Sequence, residues 1–173
     1  MKAWIGAHRG LLLAVGAAVV ITAAVLVAVL PGSHRADSIP PTRAREYSQQ
    51  QACLLTSDRG LADAAAVPVW AGMQDASAKT RTRVMYLAVA GEQSAANAAP
   101  FLASLAQRHC TVVLTVGAAP GGAVAIDGPK FPGTRFVIVG GTATGSNVTV
   151  LPADSPNATR SSVASAVESA THG

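Results

Sequence analysis

Charge is scarce in this sequence. Of its 173 residues 13% are charged, about half the usual ~25%, which excludes a disordered acidic or basic chain. Aromatic residues make up only 4%, and no basic stripe is interleaved with them as in nucleic-acid binders. The four histidines, His8, His34, His109 and His172, are scattered, so the three or four ligands of a metal site do not come together. Cysteine is limited to Cys53 and Cys110. His109 and Cys110 do not suit a nucleophile pair, because neighbours at the start of a strand point to opposite faces. No catalytic residue, metal, cofactor or nucleic-acid partner is expected, and the chain reads as a non-enzyme.

What is abundant is apolar sequence, at 50% hydrophobic residues and a mean hydropathy of +0.35. Residues 11–30 contain no charge, amide or proline, and twenty helical residues span about 30 Å, the bilayer hydrocarbon. A cleaved signal peptide needs an apolar stretch of about 7–15 residues and a small-x-small site, whereas the best site here, after Ala36, has His34 at its third position back. No lipidation cysteine follows the apolar run before Cys53. A retained single-pass anchor is therefore expected. Lys2, Arg9 and the free amino terminus before it are balanced by Arg35, Arg43 and Arg45 after it, so the positive-inside rule leaves orientation open. Residues 31–51, with Pro31, Gly32, Pro40 and Pro41, read as an extended tether. The remainder is the length of one domain, about 100–150 residues.

Within it, strand-like and helix-like segments alternate. Residues 52–56, 84–89, 111–116 and 136–139 are continuously apolar, the pattern of strands buried on both faces of a parallel sheet. Helical spacing marks residues 69–79 and 94–108, while 121–130, broken by Gly128 and Pro129, predicts at most two turns. This alternation predicts a single α/β domain at 52–151, a doubly wound, mostly parallel, Rossmann-like sheet of order 2-1-3-4. Residues 147–151 suit an edge strand. In the 152–173 tail, Ser155 and Pro156 suit the start of a weak helix through Ala170, the alternative being a frayed terminus. Trp70 and Tyr86 read as packing residues.

Four stretches resemble the first lobe of the basic membrane lipoprotein family of ABC-transporter solute-binding proteins. They are Leu54-Leu55-Thr56-Ser57-Asp58 with Gly60, Val69-Trp70-Ala71-Gly72-Met73, residues 111–117, and residues 131–141 from Phe131 to Gly141. The resemblance implies a type I periplasmic-binding fold and, as in the family's purine-nucleoside receptors, a small-molecule ligand such as a nucleoside. It departs from the family where an aromatic stacking residue is replaced by Ala64-Ala65-Ala66-Val67 and a strand-end acid by Gly140. It covers one lobe only, so a second lobe or a transporter would come from another chain. The expected function is a membrane-anchored, extracytoplasmic solute-binding-like domain with a degenerate site; the alternative is a structural or protein-interaction domain without a ligand.

Ligands of open α/β sheets bind at the carboxyl ends of the strands, which here present Ser57, Asp58, Gly117, Gly140 and Gly141. Asp58 is the ionisable one, either a ligand acceptor or a loop carboxylate bonding to local amides. In a 2-1-3 sheet Cys53 and Cys110 lie at the amino ends of neighbouring strands about 4.8 Å apart, within disulfide reach; two buried free thiols are the alternative. A disulfide places the domain outside the cell membrane, in an oxidising compartment.

Overall fold

The computed structural model describes residues 46–171. Their centre is a parallel sheet. The apolar runs form β1 (Gln51–Thr56), β2 (Arg83–Ala88), β3 (Val112–Val116) and β4 (Arg135–Val139). The expected order 2-1-3-4 is corrected to β2-β1-β3-β4-β5: β5 (Val148–Leu151) lies parallel to β4, with Phe136 opposite Val148 and Val139 opposite Leu151. Its crossover, residues 140–147, contains no helix. Val150 on this uncovered edge therefore stays 38% exposed.

Helix α1 (Ala66–Thr80) follows β1, and α2 (Ala95–Gln107) follows β2. The Ser94 hydroxyl caps α2 by accepting the Asn97 N–H at 3.3 Å, as N-cap serines do. Helix α3 (Ala118–Asp127) is longer and earlier than the two turns expected at 121–130, and a 3-10 turn, Gly128–Lys130, completes it. The reason is local. Pro120 sits in the first turn, where no intrahelical N–H is required. Gly121 and Gly122 are contact points: an added Cβ would lie 3.4 Å from Ile138 and 2.9 Å from Ala95 respectively. Helix α4 (Pro156–Thr171) replaces the frayed-terminus alternative. The Ser155 hydroxyl accepts the Ala158 N–H at 3.3 Å at its start, and Thr159, Val163, Val167 and Ala170 form its buried stripe.

Alternation along the strands divides the apolar side chains between two cores. Leu54, Leu114 and Val137 face one core with Val69 and Met73 of α1 and Val163 and Val167 of α4. Cys53, Leu55, Val113 and Phe136 face the other with Leu102 and Leu105 of α2 and Val124 of α3. Trp70 and Tyr86 meet edge to face, ring centroids 5.7 Å apart, with Tyr86 46% exposed at the β2 edge.

Cys53 and Cys110 form a disulfide with a Cα–Cα distance of 6.0 Å. This is the bridge expected at the amino ends of neighbouring strands β1 and β3. Cys53 is in register with Val113, and Cys110 belongs to the turn after α2, beside His109 at φ 60, so the bridge staples that turn to β1, between β2 and β3. Among the described residues no helix is long and apolar enough to cross a membrane; the expected anchor, residues 11–30, lies outside them.

Two stability predictions follow from this packing. The disulfide joins residues 57 apart, so the double variant Cys53→Ala/Cys110→Ala should lose roughly 4 kcal/mol in the chain-entropy account; an unchanged urea midpoint would contradict it. Thr115 is fully buried and its hydroxyl has no hydrogen-bond partner among the described residues. An unsatisfied buried hydroxyl costs about 1–3 kcal/mol, so Thr115→Val should raise the Tm by a few degrees in calorimetry.

Candidate functional site

At the carboxyl ends of β3 and β4 the sheet opens into a cleft of about 350 Å3. Its floor is Val116, Gly117, Val139 and Gly140. One wall is the start of α1 with Ala64, Ala65 and Pro68, and the other is the turn into α4 with Ala153, Asp154 and Ser155. The site follows from topology. Strands β3 and β4 end side by side, and α1 and α4 both begin at this end on the same face of the sheet, so two helix starts border one hollow. Gly117 at φ 99 and Gly140 at φ 73 turn the chain sharply out of the two strands, a conformation glycine adopts without steric cost.

Of the residues expected from sequence, the structure brings Gly117 and Gly140 together in this cleft and leaves the others outside its lining. The Ser57 hydroxyl donates to Asp63 Oδ2 at 2.8 Å. Asp58 is exposed, and its backbone N–H donates to Gln93 Oε1 at 3.3 Å. A Cβ on Gly141 would lie 2.7 Å from Ile138, so this glycine serves close packing.

Three polar residues at this end escaped the sequence reading. Asp154 is the ionisable side chain among the residues that line the cleft; its signal is Asp-Ser-Pro directly after an edge strand, a helix-start sequence. Gln93 bridges the β1 and β2 loops, its amide nitrogen donating to the Val89 carbonyl at 3.0 Å. Asp63 organises the start of α1. Its carboxylate accepts the Ala65 N–H at 3.1 Å, and its carbonyl accepts the Ala66 and Val67 N–H groups at 2.9 and 3.3 Å. The Ala65 N–H and then the Ser57 hydroxyl hold its carboxyl below the ordinary carboxylate range, with Arg59 adding to the effect.

The walls are thus largely alanine, proline and valine, with one carboxylate at the rim and no aromatic ring among the lining residues. Such a surface suits a small, partly apolar ligand that presents a hydrogen-bond donor or positive group to Asp154. Among the described residues no three His, Cys, Asp or Glu side chains are grouped to hold a metal.

No protein-family model matches the chain, and neither does any curated protein sequence. Solved structures do match. A fragment of a putative lipoprotein from Peptoclostridium difficile 630 superposes with a TM-score of 0.58 at 13% identity, over 70% of this chain and 99% of that one. A transcriptional activator of the comK gene from Bacillus halodurans gives 0.49 at 16% identity, over 58% of this chain and 33% of that one. An ABC transporter system solute-binding protein from Aeropyrum pernix K1 gives 0.48 at 15% identity, over 58% and 28%. The likeness to the lipoprotein fragment is one of fold alone.

The Asp63 bonds predict a pH signature. A lowered native pKa contributes stability that is fully present above the unfolded value, about 3.9, and is lost as the pH falls through the native one. Asp63→Ala should cost about 1 kcal/mol near neutrality, the usual net contribution of a lost hydrogen bond. The gap in urea midpoint between variant and parent should shrink at about pH 3; a constant gap would show that the carboxylate is not the stabilising group.

Proposed function

We propose that this chain is a membrane-anchored, extracytoplasmic solute-binding-like domain, a single lobe whose carboxyl-end cleft holds one side of a small ligand. The cleft bounded by β3, β4 and the starts of α1 and α4 carries this reading, because ligands of open α/β sheets bind at this end. The resemblance to the basic membrane lipoprotein family supports it. Its motif residues 54–58 and 111–117 run through β1 and β3 into the carboxyl-end turns, and residues 131–141 end at the cleft floor with Gly140. Ser57 and Asp58 act in this reading through the loop beside the cleft. The disulfide supports an oxidising compartment, and the apolar run at 11–30 a single-pass anchor in the cell membrane.

The ligand class is a nucleoside-sized molecule. The cleft, open to solvent between its two walls, would be covered by a second lobe or a transporter subunit. The reading is non-catalytic: Cys110, beside the one histidine of the described residues, His109, has its sulfur in the disulfide and is unavailable as a nucleophile. The absence of an aromatic platform from the lining favours the second reading, an interaction domain that binds no small molecule.

A thermal-shift series with purine nucleosides, sugars and amino acids separates the two. A ligand at 100 times its Kd stabilises the fold by about 2.7 kcal/mol, several degrees in Tm. Ala153→Phe, at an exposed position on the cleft wall, should abolish that shift and leave the unliganded Tm nearly unchanged. A shift that survives Ala153→Phe would displace the site. No shift with any compound would support the interaction domain.

A further inference from the structure

The described residues carry eight basic and eight acidic side chains, so the domain is neutral, yet its charges are sorted to opposite ends of the strands. Asp58, Asp63, Glu92 and Asp154 all lie in loops at the carboxyl ends, against Arg59 alone. The amino-end turns carry Arg81, Arg83, Arg108 and Arg135, all exposed, and none is in an ion pair among the described residues. Other charges near that rim cancel locally: Lys130 pairs with Asp127 at 2.6 Å, and Lys79 at the end of α1 with Glu168 of α4 at 2.9 Å. Glu46 is the remaining acid of the amino end.

The register fixes how these arginines are spread. Arg83 opens β2 opposite Gln51 of β1, and Arg135 opens β4 opposite Val112 of β3, so they span three inter-strand spacings, roughly 14 Å. Arg81 and Arg108 lie in the turns between and beside them. The chain that joins the domain to residues 1–45 arrives at this same rim: the Ser48 N–H donates to the Arg81 carbonyl at 2.9 Å, and the Arg83 N–H to the Gln50 carbonyl at 3.0 Å. The sequence just before it is basic as well, with Arg35, Arg43 and Arg45 against Asp37.

We propose that the amino-end rim, Arg81, Arg83, Arg108 and Arg135, docks on the anionic lipid surface of the bilayer that holds the chain's own anchor. This deepens the reading above and rests on residues 11–30 being that anchor. The sorted charges orient the domain: the basic end is attracted to anionic headgroups and the acidic end is repelled. The cleft, at the other end of strands about 17 Å long, then faces away from the membrane toward solvent and any partner. Each arginine near an anionic surface favours docking by roughly fivefold, and the tether holds the domain at high effective concentration beside the bilayer.

The test uses the full chain in nanodiscs of phosphatidylcholine alone and of a two-to-one mixture with phosphatidylglycerol, each doped with a gadolinium-chelating lipid. In the anionic discs, amide signals of residues 81–83 and 108–111 should broaden severalfold more than those of 58–63 and 153–155. The bias should be much weaker in neutral discs, and it should collapse at about 1 M salt, where screening falls to ~3 Å. Arg81→Glu/Arg83→Glu/Arg108→Glu should lose the bias at low salt. The salt and lipid comparisons test the docking even if that variant does not fold. Equal broadening of both ends in anionic discs, a bias equal in neutral discs, or one that survives high salt would overturn the docking while leaving the anchor intact. Failure to enter discs of either composition would overturn the anchor, and the docking with it.

Discussion

At Gly72 the backbone of α1 lies so close to α4 that any Cβ would run into the Arg160 carbonyl and meet Val163 at 3.0 Å. Much else depends on this approach. Helix α4 has little apolar surface, and its buried residues include Thr159, Ala164 and Ala170; such a helix contributes to a core only when brought near, because dispersion falls steeply with separation. Held against α1, it covers Leu114 and Val137 and completes the first core. Its first turn then stands opposite the first turn of α1, and the hollow between them is the cleft. Arg160 and Asp75 form a bidentate pair at 2.5 and 2.7 Å across the same contact, but exposed pairs of this kind contribute ~0–1 kcal/mol. Packing at Gly72 holds the helices together, and the ion pair adds little to it.

The opposite face is held differently. There the disulfide ties the turn after α2 to β1, and Gly122 of α3 packs on Ala95 of α2. One face is closed by non-local packing of the last helix, the other by a covalent link and small residues. Strands β1 and β3, buried on both sides, are the shared element, and β3 runs into the floor of the cleft at Val116 and Gly117.

This division explains what was legible in the sequence. Strands buried on both faces read as unbroken apolar runs, so β1, β3 and β4 could be placed within a residue or two. Helix α2 was legible through its periodic Phe101, Leu102 and Leu105. Helix α3 was obscured because its glycines are selected for contacts with Ile138 and Ala95, contacts that exist only after folding, and in sequence they look like helix breakers. The tail's helix was ambiguous because small residues suffice where backbones approach closely. In the site, the strand-end glycines Gly117 and Gly140 were legible from strand ends alone. Asp154 was hidden in a tail with no strong pattern, and Asp63 ties the turn before α1 to Ser57, a role that only the position of α1 reveals.

A cleft without a roof also limits what binding can achieve. Small-molecule sites usually bury about 70–90% of the ligand, and a hollow of about 350 Å3 open to solvent covers much less than that. Its alanine and proline walls supply little of the stacking that an aromatic ring would give, while an exposed Asp154 is screened by water and counterions. Tight binding by this lobe alone is therefore disfavoured on physical grounds. A cover over the cleft would change both quantities together, because enclosing a ligand would remove its remaining apolar surface from water and strengthen the Asp154 interaction in a drier surrounding. Under the proposed function, ligand affinity and partner association would then be thermodynamically linked: whatever closed the cleft would raise affinity for a ligand, and the ligand would raise affinity for the closing partner by the same factor.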